Sequence, residues 1–509
     1  MQRIHPTQAH PLHHTDATRR LEHSAAAALP AHTLMQRAGQ SVARLARALA
    51  PHARTVWIAC GPGNNGGDGL EAAMLLHREG VPVVVTWLGA PETAPADARL
   101  SWQRAQDAGV AFSHHAPHPL GPQDLCIDAL LGIGLAPGDQ RPPPSERLAA
   151  VLTALHHSPA PVLCVDIPSG LQADTGQYAP GFTPADAPPA QRHTLSLLTL
   201  KPGLFTGAGR DAAGAIWWDD LGVPCPSEAA SAWLSAPPAA ATRPHASHKG
   251  SYGDVAVIGG EGLATRGLGM TGAALLAARA ALHHGAGRVL VALLGDNRLD
   301  IDPQQPELML RHVDALQLEQ LTVVCGCGGG EAVRTVLPSV LAQAPRLVLD
   351  ADALNAVADT LPLAQALAER AQRGHTTVLT PHPLEAARLL GTPREAVQAD
   401  RMAAAQTLAD HFGCVVLLKG SGSVIAAPGA APRINPTGNA RLATAGTGDV
   451  LAGMVGARLA AGQAAAQAAA DAAFAHGQAA DLAPGSGPLL AGTLAKFNVN
   501  SLQRLLNKR

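Results

Sequence analysis

Residues 55–60, TVWIAC, are a short apolar run with β-branched members that passes straight into GPGNNGGDG, residues 61–69. After the glycines come LEAAMLLHREG, with Leu70, Met74 and Leu75 on one helical face, and then VPVVVTWLG, a second strand-like run. Strand, glycine loop, helix, strand is a βαβ unit. It commits the chain to an α/β fold with its loop at the carboxyl edge of a parallel sheet, where open α/β sheets bind ligands. Two later runs end in the same way. DLCIDALLGIGL brings Asp128 to a strand end and then Gly132, Ile133, Gly134 and Leu135, and PVLCVDIPSGLQADTG brings Asp166, Pro168, Ser169 and Gly170. HTLSLLTL is a further strand, followed by KPGLFTG from Lys201 to Gly207.

The 61–69 segment meets the G-x-G-x-x-G order of a dinucleotide fingerprint only loosely, and no Gly-Lys-Ser/Thr makes it a P-loop. Asn64 and Asn65 among five glycines offer side-chain carbonyls and exposed amides, which suit a cation held by oxygen beside a phosphate or amide contact. The alternative is a tight loop in which asparagine tolerates left-handed geometry. Asp128 and Asp166, at strand ends facing this loop, can supply a cation ligand and a general base, or can cap turns.

SAPPAAATRPHASHKGSYG, residues 235–253, has no periodicity and reads as a linker. A second α/β series follows. DVAVIGG is a strand ending in glycines, TGAALLAARAALHHGAG an alanine-rich helix, and LTVVCG a strand that ends at Gly326-Cys327-Gly328-Gly329-Gly330. RLVLDADALNAV delivers Asp350, Asp352 and Asn355, TTVLTPHPLEAARLLG delivers Thr380, His382 and Glu385, and CVVLLKGSGSVIA is broken by Lys419-Gly420-Ser421-Gly422 before a hairpin return. Last comes ATAGTGDVLAGMVGA, a glycine turn opening a buried helix through Val450, Leu451, Met454, Val455 and Leu459. Its residues alone leave two readings of Gly446–Asp449 open: an anion site made by free helix-start amides, or an ordinary turn with Asp449 as N-cap. Five polar strand ends in one domain suggest one shared site along the sheet edge.

Composition narrows the classes. At 509 residues the chain exceeds one ordinary core, and a net charge of −2 gives no reason to expect a nucleic-acid surface. The seven cysteines are scattered with no CxxC pair, which suits free thiols in a reducing compartment. The N-terminus has no apolar core like a signal peptide, and no apolar run reaches the length of a membrane span. The 23 histidines lack zinc-type spacing. The expectation is a cytoplasmic enzyme, a homo-oligomer acting on small molecules, with no nucleic-acid or membrane partner.

GPGNNGGDG, DALLGIG and VDIPSG, in this order, resemble the NAD(P)H-hydrate epimerase family. That resemblance implies a Rossmann-like three-layer αβα domain over residues 1–235, with substrate contacts from Asn64, Asn65, Gly66, Gly67 and Asp68. It further implies contacts from Gly132, Ile133, Gly134, Leu135, Ala136, Pro137 and Gly138, and from Asp166, the residue chosen for proton handling. Asn65, Asp128 and Ser169 would hold a potassium ion. After a linker at 236–249, residues 250–509 resemble the ribokinase-like superfamily. Within it, HKGSYG, LDADALNA, LTPHP.E, LKGSGSVIA and GTGDVLAG resemble the ADP-dependent NAD(P)H-hydrate dehydratases. This implies an αβα domain in which Lys419, Gly420, Ser421, Gly422, Ser423 and Gly448 contact the nucleotide. Ala273, Gly330, His382 and Asp449 would contact the hydrated nicotinamide, with Asp449 as base and Mg2+ accompanying ADP.

Three positions depart from the family pattern: Leu384 stands where a glycine is usual, GCGGG replaces GPGLG at 326–330, and TAGTGD replaces TGGSGD at 444–449. The rival reading is a ribokinase-like vitamin or sugar kinase fused to a non-catalytic Rossmann-like domain.

Overall fold

The structure is a computed structural model, described for residues 1–117, 119–135, 143–184, 191–225, 229–239, 243–296 and 299–497. The chain divides into two compact units, one of residues 1–5 and 10–232 and the other of 6–9 and 233–509.

In the first unit, helices α1 (Thr15–Ala28) and α2 (Thr33–Leu49) precede β1 (Val56–Cys60), α3 (Asn64–Arg78) and β2 (Val83–Trp87). Strands β3 (Leu125–Ala129), β4 (Val162–Val165), β5 (Arg192–Leu197) and β6 (Ala215–Asp219) complete the parallel body of the sheet. Their order is β6-β5-β4-β3-β1-β2. The chain leaves β1 towards β2 and returns on the other side for β3, so the topological switch point lies at the ends of β1 and β3. Alternation along β1 builds the layers. Val56, Ile58 and Cys60 pack with Val42 and Leu45 of α2 and Leu70 and Met74 of α3. Trp57 and Ala59 face the opposite cluster with Val151, Leu152 and Leu155.

One expectation of the sequence fails here. The glycine-rich stretch is not a loop through Gly69, because α3 already begins at Asn64, and neither asparagine has a positive φ. The glycines are there for close packing. A Cβ at Gly66 would sit 2.0 Å from the Gly61 carbonyl oxygen, and one at Gly67 would sit 2.6 Å from Met35 Cε.

The second unit opens with β7 (Asp254–Gly259), α4 (Thr271–His283), β8 (Arg288–Leu293), β9 (Thr322–Cys325) and β10 (Arg346–Leu349). It continues with α5 (Ala351–Asp359), β11 (Thr376–Leu379), α6 (Pro383–Leu390) and the meander β12 (Val415–Leu418), β13 (Val424–Ala427) and β14 (Ala430–Ile434). Helices α7 (Thr447–Ala460) and α8 (Ala465–Leu482) follow. The order β8-β7-β9-β10-β11-β12 is parallel, and β13 and β14 extend it antiparallel. The small residues of α7 serve contact with α4: a Cβ at Gly453 would lie 2.0 Å from the Ala277 carbonyl oxygen. Val450, Leu451, Met454, Val455 and Leu459 are all buried in the same core as Ala274, Ala277 and Val257, as their helical spacing predicts.

Candidate active sites

In the first unit, a cavity of about 550 Å³ opens at the switch point. Asn64, Asn65, Asp68, Gly132, Ile133, Gly134 and Asp166 line it, joined by Arg19 and Glu22 of α1 and by Lys201. Gly66 and Gly67 pack behind it, and Leu135 lies in the core beside Leu152. Ala136, Pro137 and Gly138 lie outside the described residues.

Beside the cavity Asp128 and Ser169 are joined. Asp128 Oδ1 accepts from Ser169 Oγ at 2.5 Å and Oδ2 from Ser169 N–H at 3.0 Å, while Ser169 Oγ accepts from Leu131 N–H at 2.9 Å. Asp128 is only 3% exposed, and no cationic side chain pairs with it among the described residues. Asn65 comes close through Gly132, where a Cβ would be 3.4 Å from the Asn65 amide, and Asn65 Nδ2 is buried without a partner. A buried, unneutralised carboxylate with a hydroxyl and an amide oxygen nearby is a donor set that fits a hard monovalent cation.

Asp166 stands in left-handed geometry at φ 66°, in a γ-turn closed by Ile167 N–H to the Val165 carbonyl at 2.8 Å. A non-glycine residue held there is strained. Lys201, fully buried, holds it: the ammonium forms an ion pair with Asp166 Oδ1 and also donates to the Leu197 carbonyl at 2.7 Å. Leu197 N–H donates to the same carboxylate oxygen at 3.1 Å. Asp68 has no hydrogen-bond partner among the described residues. Burial, then the charges of Asp166, Glu22 and Glu71, push its carboxyl well above the usual range against the opposing pull of Lys201. Glu22 is raised for the same first two reasons. An ion-paired carboxylate beside a carboxyl whose proton affinity is raised is an acid–base arrangement.

In the second unit the strand ends meet around Asp350, which is 1% exposed. Its Oδ1 accepts from Lys419 Nζ at 2.6 Å and from Thr380 Oγ1 at 2.8 Å. Glu385 Oε2 lies 3.9 Å from the same ammonium. These two carboxylates raise the Lys419 pKa against the effect of burial. A Cβ at Gly448 would be 3.4 Å from Lys419 Nζ, so the start of α7 faces the lysine. Ligand atoms of Cys327, Asp350 and Asp449 lie within 4.8 Å of one another. The two carboxylates are oxygen donors suited to a divalent ion arriving with a diphosphate, whereas a thiol is a poor ligand for Mg2+.

Asp449 is not a cap. The N-cap of α7 is Gly446, in left-handed geometry at φ 89° where only glycine is unstrained, and no side chain caps the helix. Burial and then the charge of Asp350 push the Asp449 carboxyl up to about 6, while a hydrogen bond from Cys327 and the charge of Lys419 pull the other way. Glu385 is pushed to about 7, mainly by burial. His382 has a structural role as well, since Nδ1 caps α6 by accepting from Leu384 N–H at 3.1 Å and Glu385 N–H at 3.3 Å. The capping uses the Leu384 backbone and leaves its side chain 42% exposed, so a leucine fits there.

The remaining positions sit along the same edge. Gly330 N–H donates to Asp352 Oδ2 at 2.9 Å, and Ala273 packs against Gly328. Gly420, Ser421, Gly422 and Ser423 form the turn from β12 to β13, with Ser423 Oγ donating to the Gly420 carbonyl at 3.2 Å. Asn355 drops out of the cluster and accepts from Arg388 at the surface. Four residues escaped sequence reasoning. They are Lys201 and Glu22 in the first unit, and Arg401, which donates to the Leu418 and Lys419 carbonyls, and His476 in the second. Only Lys201 carried a local signal, in KPGLFTG.

Residues 31–203 match a family model described as YjeF-related protein N-terminus, and residues 255–496 match one described as NAD(P)H-hydrate dehydratase. The chain is 36% identical over 522 residues to the bifunctional NAD(P)H-hydrate repair enzyme Nnr of Escherichia coli K12, covering 98% of this chain and 94% of that protein. It is 33% identical to the protein of the same name in Coxiella burnetii, with coverages of 89% and 91%. Among solved structures, an ADP/ATP-dependent NAD(P)H-hydrate dehydratase from Bacillus subtilis, co-crystallised with ATP and Mg2+, is 30% identical. That match covers 54% of this chain and 94% of the other, with a TM-score of 0.43.

Proposed function

We infer the working parts of both sites from one fact: this chain belongs to the family of bifunctional NAD(P)H-hydrate repair enzymes. It repairs hydrated NADH and NADPH, interconverting the two hydrate epimers and dehydrating the hydrate to NAD(P)H at the expense of ADP. We assign residues 1–235 to the epimerase and 250–509 to the dehydratase, with 236–249 between them, which agrees with the matched spans 31–203 and 255–496.

In the epimerase, Asp166 handles the proton. The strained turn and Lys201 fix its orientation. Asn65, Asp128 and Ser169 would hold potassium, a reading supported by the buried Asp128 carboxylate, which no cationic side chain pairs with among the described residues, and by the Ser169 hydroxyl bonded to it. Bound there, potassium would supply a fixed positive charge beside the substrate pocket. Asn64, Asn65 and Asp68 in the first turn of α3, with Gly132, Ile133 and Gly134, receive the substrate.

In the dehydratase, Lys419–Ser423 and Gly448 bind ADP, while Ala273, Gly330 and His382 receive the hydrated ring. Asp449 takes the proton from the ring hydroxyl. The oxygen so freed attacks the terminal phosphorus of ADP, and the bond to the bridging oxygen breaks to release AMP. The ring carbon–oxygen bond then breaks, phosphate leaves with the electron pair, and loss of a proton from the adjacent ring carbon restores the double bond. Phosphate is a far better leaving group than hydroxide, which is what the spent ADP achieves. Free amides at the start of α7 and Lys419 neutralise charge on the group in transit, and Mg2+ arriving with the diphosphate would add positive charge there.

The observation that carries this reading is Asp449 at the mouth of α7, with a pKa of about 6, where a base works near neutral pH. The test is a mixture of hydrate epimers with ADP, followed by absorbance of the reduced nicotinamide. Full recovery supports two activities, recovery of one epimer alone leaves only the dehydratase, and no recovery overturns the reading. The seven cysteines form no disulfide, which suits the reducing cytoplasm in which we place the enzyme.

A further inference from the structure

His476 lies on α8, away from every motif of the sequence, yet its ring meets the phosphate turn from behind. Its Nε2 is 2.9 Å from the carbonyl oxygen of Thr447, the first residue of α7, and the residue is 8% exposed. Burial lowers its pKa to about 4, so the ring is neutral at physiological pH. A neutral imidazole facing a carbonyl must carry its proton on the nitrogen that faces it, because a carbonyl only accepts.

The Thr447 carbonyl belongs to the same peptide plane as the Gly448 N–H, and in a trans peptide the two point in opposite directions. A donor on that carbonyl therefore stands behind the amide that points forward out of the helix start. Gly448 N–H is one of the amides left without an intrahelical acceptor, and it finds none among the described residues. Its Cα faces Lys419 Nζ. Thr447 is fixed on its other side as well, since Oγ1 donates to the Leu442 carbonyl at 2.9 Å and to the Thr444 carbonyl at 3.0 Å. The histidine cannot slide along α8. The next residue, Gly477, presses on the 437–438 backbone, where a Cβ would come within 2.4 Å of Thr437 Oγ1.

We propose that His476 is a positioning residue for phosphoryl transfer: its Nε2–H grips the Thr447 carbonyl, so that the Thr447–Gly448 peptide is locked and polarised with its amide aimed at the phosphoryl group. Hydrogen bonds in a chain strengthen one another in a low-dielectric site. The Gly448 amide thus becomes a better donor at the moment charge builds on the transferring oxygens, and it pays no reorientation cost to do so. This inference rests on the dehydratase reading of the second unit.

The experiment uses the full-length chain with ADP and the hydrate. His476→Leu keeps the bulk and removes the donor, and His476→Gln keeps a donor at the same reach. We expect His476→Leu to lower kcat of dehydration about tenfold, with KM for the hydrate within about twofold of wild type and epimerase activity unchanged. We expect His476→Gln to recover most of the loss. AMP with aluminium fluoride, which mimics a phosphoryl group in flight, should lose about the same tenfold in affinity in the leucine variant, while ADP loses less. Wild-type kcat in His476→Leu would overturn the proposal. So would equal weakening of ADP and the mimic, or a fall in kcat and thermal stability that glutamine does not reverse. A wild-type chain inactive with ADP would instead overturn the dehydratase reading.

Discussion

Asp449→Asn should abolish dehydration and at the same time stabilise the second unit, and the pH dependence of that stabilisation tests the electrostatic account of the base. The folded-state pKa of Asp449 is raised from 3.8 to about 6, chiefly because burial disfavours the ionised form. At about 1.4 kcal/mol for each tenfold change in proton affinity, an ionised Asp449 makes the folded state roughly 3 kcal/mol less stable than a neutral group there would. The sign follows from which state protonates first. Above pH 6 the carboxylate is ionised in both states and the penalty is full. Between about 6 and 3.8 the folded protein binds the proton before the unfolded chain does, and the penalty shrinks as pH falls. Below 3.8 both states are neutral and the penalty has gone. Asparagine copies the shape of the neutral acid, so the variant should gain up to about 3 kcal/mol at pH 8 and almost nothing at pH 3.5. Denaturant melts of both proteins at the two pH values give the numbers, and epimerase activity reports whether the first unit is intact. A variant less stable than wild type at pH 8, or a gain of equal size at both pH values, would refute the claim that the base is held against its own solvation.

Other consequences can be measured on single variants. Cys327→Ala removes the thiol whose hydrogen bond opposes the rise of the Asp449 pKa, so the acid limb of the dehydratase pH–rate profile should move above its wild-type position near 6; a move to lower pH would contradict that role. Lys201→Met should reduce epimerase kcat by two or more orders of magnitude, because Asp166 loses its ion pair, while dehydration of the correct epimer is unaffected; unchanged epimerisation would show that Lys201 only fills space. Potassium should raise the melting temperature of the wild-type first unit more than sodium at equal ionic strength, and Asp128→Asn should erase the difference. A potassium effect that survives in Asp128→Asn would place the ion elsewhere.

The βαβ rhythm was legible because parallel strands buried on both faces need short β-branched apolar runs, and each of those runs is bounded by glycine or a polar residue. For the same reason Asp128, Asp166, Asp350, Lys419 and Asp449 could be picked out one at a time as strand-end or helix-start groups. What they pair with was not legible. Lys201 and Asp166 are 35 residues apart, Lys419 and Asp350 are 69, and no local pattern encodes such a contact. The start of α3 was misread because a high glycine content argues for a loop, whereas Gly66 and Gly67 leave room for the Gly61 backbone and for Met35 against an intact helix. His476 was invisible because an alanine-rich helix containing one histidine reads as core, and only the folded packing puts that ring against Thr447.

The two sites, on different sheets and with different chemistry, share one electrostatic plan. Each has a carboxylate at the end of a central parallel strand, Asp166 after β4 and Asp350 after β10, held by a lysine delivered past a later strand. Each sets beside that pair a second carboxyl, Asp68 or Asp449, whose proton affinity is raised by burial and by the first carboxylate. The lysine pairs with the first acid, and the charge of that acid adds to burial in raising the proton affinity of the second. Two carboxyls that are alike in water are thereby separated into one held in an ion pair and one whose proton affinity is raised. A parallel sheet favours the solution, because every strand releases its chain at the same edge and residues far apart in sequence arrive there side by side. The plan is common to both chemistries. In the second unit the start of α7 adds amides that can receive a phosphoryl group, whereas the first unit has a pocket with an unneutralised Asp128 beside it, and these additions separate a dehydratase from an epimerase.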